Sequence, residues 1–334
     1  MSGKIAVEKR KVDVNEMAED IYTEINLLMV DCIKNNRVPY IQENPLPQDM
    51  NIVNGKHLGD INKIQLELKA AQIGAKSLKW IYGADAAFIG LELKDDIDTN
   101  PVVAFANIKR KTTGTEAQAV YLLDQFTDES LKKALDICLE ESPDKQKKNI
   151  SQNMIRFISE YDSGKNEASL RENKRKNISE NTKNPETLKT MNAAMKNISS
   201  DYDSAQMLVF SRLNNYYIRQ ETGLALGKSL TENEKKALVN NLELLAKVPS
   251  ARLATTLTNA FLYSQRMTHY GFSPDFVYTK DDLNKELKVH APEASKFIPK
   301  PSKTRTKDNS IDRIPEREQE IKSPEPTHQL GRRF

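Results

Sequence analysis

Apolar residues recur at three- and four-residue steps early in the chain. Val14, Met17, Ile21, Ile25, Leu28 and Ile33 predict one amphipathic helix over 14–34. Pro39, Pro45 and Pro47 then predict an extended, non-helical entry, because proline lacks an N–H and pushes the residue before it out of the helical region. Asn54-Gly55 marks a turn. Ile61, Ile64, Leu66 and Leu68 partly fit both periods, so a strand and a short helix stay open there. Trp80-Ile81-Tyr82 predicts a short strand, and 84–91 a short helix ending near Gly90. Segments 102–108 and 119–126, rich in β-branched and apolar residues, predict strands. Thr127 is placed to cap a helix with Leu131, Ala134, Leu135 and Cys138 on one face.

The pattern changes after Glu141. Residues 142–200 are rich in Lys, Asn, Ser and Glu and poor in large apolar side chains. A helix is expected around 152–161, and 164–184 reads as a solvated linker. Lys-Asn-Ile-Ser recurs from Lys148, Lys176 and Lys196, which reads as low-complexity drift. Helical spacing returns with Met207, Leu208, Phe210, Leu213, Tyr217 and Ile218. Thr231 and Glu234 form a capping box ahead of Ala237, Leu238, Leu242 and Leu245, a helix that Pro249 breaks. Leu253, Leu257, Phe261 and Leu262 mark the next helix, with Gly271 past its end, and Asp281 is placed to cap a last short one. From Pro292 prolines and mixed charges dominate, which predicts a disordered tail. The expected fold class is thus an α+β domain over 10–140, a partly helical polar linker over 141–200, a separate all-α region over 201–290, and a tail over 291–334.

Composition narrows the classes. The chain has 334 residues, 38% hydrophobic and 29% charged, enough for two domains. A net charge of +3 is mild, so a nucleic-acid surface would have to come from local clustering. Cys32 and Cys138 are the only cysteines, too few for a disulfide framework or a zinc site. The N-terminus lacks a signal-peptide core, and no apolar run approaches the roughly 20 residues that span a bilayer. A cytoplasmic location without membrane attachment is therefore expected.

Catalytic motifs are scarce. His57, His269, His290 and His328 lie far apart, and there is no HExxH, CxxC, G-x-S-x-G, Walker A or GxGxxG sequence. His269 with Asp275 reads as a helix-end histidine beside a turn, and Asp95, Asp96 and Asp98 as a solvated loop. No catalytic centre, metal or cofactor is expected. The segment 39–111 stands apart: it holds the only Trp, closely spaced glycines, and the basic run Lys109-Arg110-Lys111. Trp80, with Tyr82 and Tyr40 as weaker candidates, could stack on bases. Lys76, Lys79, Lys109, Arg110 and Lys111 could track phosphates. Spacing alone favours a core Trp80 and a solvated lysine face. The group Asn51, Asn54, Gly55, Gly59 and Asn62 could aim backbone N–H groups at phosphate, although a tight turn is the simpler reading.

Taken whole, 39–111 resembles the N-terminal domain of ArdC-type antirestriction proteins, a domain that also opens TraC-type plasmid primases. The resemblance rests on the 14–34 helix followed by Pro39-Tyr40. It continues in the turn Asn51-Ile-Val-Asn54-Gly55-Lys56-His57-Leu58-Gly59-Asp60-Ile61-Asn62, with Leu66 after it. Trp80 before the short Ala- and Gly-containing helix, and the strands at 102–108 and 119–123, complete it. It covers about residues 10–140. Tyr40 stands where the family has Trp, Leu58 where an aromatic is common, and the Lys-Gly-Glu usual after the short helix is not evident. The family's metallopeptidase-like half is missing, since no HExxH follows residue 140, and no primase catalytic region is recognisable.

The resemblance implies a single-stranded-DNA-binding accessory protein of a plasmid or other mobile element, without its own catalytic centre. Tyr40, Trp80 and Tyr82 would stack on bases. Asn54, Lys56, Asn62, Lys76, Lys79, Lys109, Arg110 and Lys111 would make the remaining contacts. The alternative is a protein-interaction or conjugation-related module. It would act through 201–290, where Met207, Phe210, Tyr216, Tyr217 and Phe261 supply apolar surface, or through the tail ending Gly331-Arg332-Arg333-Phe334.

Overall fold

The computed structural model describes residues 5–6, 10–11, 14–107, 115–138, 144–199, 202–224, 229–247, 251–265 and 267–268. The fold is mostly helical, with one small sheet. In chain order the elements are β1 (Arg10–Lys11), α1 (Val14–Lys34), β2 (Met50–Asn51), α2 (Asp60–Ile73), β3 (Lys79–Tyr82), α3 (Gly83–Phe88), β4 (Val102–Asn107), β5 (Thr115–Leu122), α4 (Asp128–Asp136), α5 (Lys145–Ser163), α6 (Lys165–Lys183), α7 (Pro185–Ser199), α8 (Ser204–Thr222), α9 (Glu232–Lys247) and α10 (Arg252–Gln265). Pro39–Ile41 forms a single 3-10 turn within the proline-rich entry.

Strand β5 organises the sheet. It pairs antiparallel with β1, β3 and β4, and β2 runs parallel to β3 with Asn51 opposite Trp80. Alternation along β3 and β5 gives the sheet two apolar faces. Trp80, Val120 and Leu122 enter one cluster with Leu66 and Ala70 of α2. Ile81 and Tyr121 enter another with Ala86 of α3, Ala134 of α4, and Ile150 and Met154 of α5.

Helix α2 resolves the ambiguity at 61–68. Every residue from Ile61 to Ala70 is buried. Leu66 and Ala70 meet the sheet, whereas Ile61, Ile64 and Leu68 meet a helical core built with α1, α8, α9 and α10. An element covered on several sides shows no clean single-face period, which is why its spacing looks mixed. Burying each of these large aliphatic side chains stabilises the fold by about 1.5–3 kcal/mol.

The same core runs across the expected polar linker at 141–200. The described residues, which end at 268, fall within one compact unit. Its largest cluster joins Ile25, Met29 and Ile64 to Phe210, Leu213, Leu242, Leu257 and Phe261. The segment expected as a linker is largely α6, anchored by Ile178 in that core and by Lys174, whose ammonium pairs with Glu221. Arg175 and Asn177 add bonds to Thr222 O and Thr268 O, so a polar helix docks largely through side-chain bonds while its outer face stays solvated. Phe210, Tyr216, Tyr217 and Phe261 are buried, so they are core rather than the apolar docking surface of the interaction reading. Both cap predictions hold: Thr127 Oγ1 accepts from Ser130 N, and Thr231 and Glu234 bond reciprocally. Gly271, Asp281, the His269/Asp275 pair and the 291–334 tail lie outside the described residues. Among the described residues, no helix is long and apolar enough to cross a membrane.

Candidate nucleic-acid interface

The turn that carries the family resemblance is closed by Asn51. Its Oδ1 accepts from Val53 N at 2.8 Å and Asn54 N at 3.0 Å, its carbonyl accepts from Gly55 N, and its own N–H donates to Lys56 O. Asn51 is buried beneath a loop whose tip residues, Asn54 and Lys56, are exposed. Asn54 Oδ1 in turn accepts from Lys56 N at 3.0 Å, which holds the lysine backbone to the turn. Gly55 has φ +68°. A Cβ there would stand 2.5 Å from Phe157 Cε1 of α5. Glycine is therefore required twice, for the left-handed backbone and for the close approach of a ring 102 positions further along the chain.

Helix α5 places two aromatic rings and a guanidinium beside the turn. Phe157 and Tyr161 are four residues apart, one helical turn, and both are partly buried. The Arg156 guanidinium sits 4.2 Å from the Phe157 ring centre. The Lys79 ammonium sits 4.9 Å from the centre of Tyr161 and also pairs with Asp162. Near the other end of the helix, Lys147 lies 5.5 Å from the Phe88 ring. Three of the four cation–aromatic pairs among the described residues thus involve α5.

Trp80 itself is 1% exposed and Tyr40 3%. Neither can stack on a base, and this corrects their expected role. Strand alternation turns Trp80 toward α2, where its Nε1 donates to Asp49 Oδ2 at 3.1 Å. Tyr40 is held edge-on against Tyr216, with centroids 5.1 Å apart. Asn62 is buried on α2 and cannot reach a strand either. Tyr82 is partly buried with its ring edge-on to Trp80 at 5.0 Å. Lys76 is exposed, and Lys79 is partly buried in its pairing with α5. Lys109, Arg110 and Lys111 lie outside the described residues. The structure therefore brings the 51–56 turn against Phe157 through Gly55, and Lys79 against Tyr161 and Asp162, and withdraws Tyr40, Asn62 and Trp80. Arg156, Phe157 and Tyr161 of α5 were missed because their apposition to the turn is long-range; the only local signal was the Phe157–Tyr161 spacing within the helix expected at 152–161.

A separate buried charge network centres on Lys63 and Glu67 of α2. Lys63 Nζ donates to Gln220 Oε1 at 2.7 Å, and lies 3.8 Å from Asp49 Oδ1 and 3.5 Å from Glu67 Oε1. Glu67 accepts from Gln220 Nε2 at 3.0 Å and from Tyr217 OH at 3.2 Å. Burial pushes the Glu67 carboxyl above its ordinary value of 4.5, Lys63 only partly opposing it. Burial pulls the Lys63 ammonium down, but Glu67, Asp49 and Glu221 reverse this and hold it above 10.5. The network joins α2 to α8. Among the described residues, no group of three or more His, Cys, Asp or Glu side chains is arranged to hold a metal ion.

Compared with protein-family models, curated proteins and solved structures, the chain matches none of them.

Proposed function

We propose that this chain is a non-enzymatic, single-stranded-DNA-binding accessory protein of a mobile element, acting in the cytoplasm, and that its strand-binding surface is the 51–56 turn together with α5. The observation that carries this reading is the packing of Phe157 on Gly55, the glycine between Asn54 and Lys56, with Arg156 over the Phe157 ring and Lys79 over Tyr161, so that cations meet partly buried rings beside the turn. Sites for single strands use that pairing, cations following phosphates and rings meeting bases. Charge distribution supports it. Residues 144–199, which span α5 to α7, hold twelve Lys and Arg against seven Asp and Glu, while the rest of the chain carries slightly more acid than base. The resemblance of 39–111 to the ArdC-type domain adds to it, with the binding role moved from Trp80 and Tyr40 to α5.

The test is fluorescence anisotropy of labelled single strands of mixed sequence across a salt series. Binding should tolerate sequence and weaken as salt rises, with a log–log slope near −0.7 per phosphate neutralised. Replacing Lys56 and Arg156 together with Ala should lower affinity and flatten that slope. Absence of binding at low salt, or an unchanged slope in the double variant, would rule the reading out.

A further inference from the structure

A second cationic feature lies where α6 crosses the end of α8. There a hollow of about 410 Å³ is lined by Arg171 of α6, Arg219 and Gln220 of α8, and the loop residues Asn44 and Ser229, with Glu43 at the rim. That volume lies in the range of small-molecule sites and well above the size of a lone anion.

The walls are fixed before any ligand arrives. Arg219 Nη1 donates to Glu43 O at 2.7 Å, which holds the guanidinium across the mouth. Gln220 is locked by Lys63, Glu67 and Leu46 O. The end of α8 carries partial negative charge, which would repel an anion. Arg175 offsets this, donating from Nε to Thr222 O at 2.6 Å. Gly223, at φ +67°, leaves space there, since a Cβ would lie 3.0 Å from Arg175 Nη2.

We propose that this hollow is a phosphomonoester site of mononucleotide size, with the phosphate held between Arg171 and Arg219 and the remaining volume taken by the organic group. A guanidinium offers five N–H donors in a planar fork that suits phosphate oxygens, so one bond to a backbone carbonyl leaves Arg219 several more. Among the lining residues, Arg171 and Arg219 are the cations and Glu43 the carboxylate. The site goes beyond the single-strand surface, and none of its lining residues belongs to that surface.

Isothermal titration of the full chain with adenosine monophosphate at low salt tests it, with adenosine and inorganic phosphate as comparison probes. Saturable one-to-one binding of the monophosphate, weaker phosphate and no adenosine is expected. Arg171→Ala should weaken the monophosphate by about tenfold or more, and Arg171→Lys by less, because the charge stays and the fork is lost. Ser229→Ala, on the exposed rim, should weaken binding a few-fold and tests the site without disturbing the α6–α8 contact. The Lys56/Arg156 double variant should bind the monophosphate normally, so failure of the single-strand reading is distinguishable. No saturable heat with millimolar monophosphate, equal binding of adenosine, or indifference to both Arg171→Lys and Ser229→Ala would overturn the proposal.

Discussion

Trp80 donates its indole N–H to Asp49 Oδ2 at 3.1 Å, across 31 residues of sequence and in the interior of the fold. The same carboxylate oxygen accepts from Leu58 N at 2.5 Å, while Oδ1 faces Lys63 at 3.8 Å. Asp49 thereby ties the sheet, the loop before α2 and α2 itself to one buried charge. The tryptophan, the residue most suggestive of a binding role, is its hydrogen-bond partner.

Trp80→Phe keeps most of the apolar volume and removes the donor. A buried carboxylate losing one partner should cost about 1–3 kcal/mol of stability. Urea unfolding should show this as a lower midpoint. Single-strand affinity should stay at the native level under conditions where the variant is folded; a selective loss of affinity would return Trp80 to the interface.

Gly55→Ala should be destabilising through two separable effects. The left-handed backbone costs a non-glycine residue about 1–2 kcal/mol, and the added methyl meets the Phe157 ring. A double-mutant cycle with Phe157→Ala separates them. The steric part should vanish in the double variant, leaving a coupling of about 0.5 kcal/mol or more. Strict additivity would place the turn away from α5.

Tyr161→Ala should weaken single-strand binding by about 1–3 kcal/mol if its ring meets a base. The salt slope should hold, because no phosphate contact is removed directly. Lys56→Ala should do the opposite, lowering the slope with a smaller and sequence-independent loss. Anisotropy titrations at several salt concentrations read both quantities together, and a change of slope alone in Tyr161→Ala would count against stacking.

The pH dependence follows from Glu67. Its folded pKa is raised above 4.5, so between 4.5 and that higher value the native chain binds a proton that the unfolded chain has released. Its contribution is therefore greatest below 4.5 and is lost as pH rises through the folded pKa. Glu67→Gln keeps hydrogen-bonding capacity toward Tyr217 and Gln220 and cannot ionise. It should flatten this part of the stability curve, measured as unfolding midpoints from mildly acid to neutral pH. Lys63 keeps its charge throughout that window, its own pKa being held above 10.5.

Much of the architecture was legible locally. The α1 helix, the Asn54-Gly55 turn, β3, β4, the Thr127 cap and the Thr231/Glu234 capping box depend on residues within a few positions of one another. Three features were not legible in this way. Helix α2 is buried on several sides and so lacks a one-face period. Helix α6 looks like linker because its anchors are one apolar residue, Ile178, and polar side chains such as Lys174 and Arg175 whose partners are distant in sequence. The charge on Lys63, Lys174, Glu67 and Glu221 reads as solvated surface until partners more than 40 residues away satisfy it.

The candidate interface divides along the same line. The sequence by itself determined the turn, because Asn51 and Gly55 close it through bonds within five residues. It also set Phe157 and Tyr161 at helical spacing within the helix expected at 152–161. Only the tertiary structure decided which aromatics are fully buried and which keep part of a face exposed. Strand alternation and the burial of Asp49 draw Trp80 inward, and packing of Phe157 on Gly55 brings α5 over the turn. Exposure is a property of the assembled layers, and no local spacing encodes which side of β3 the helices will cover.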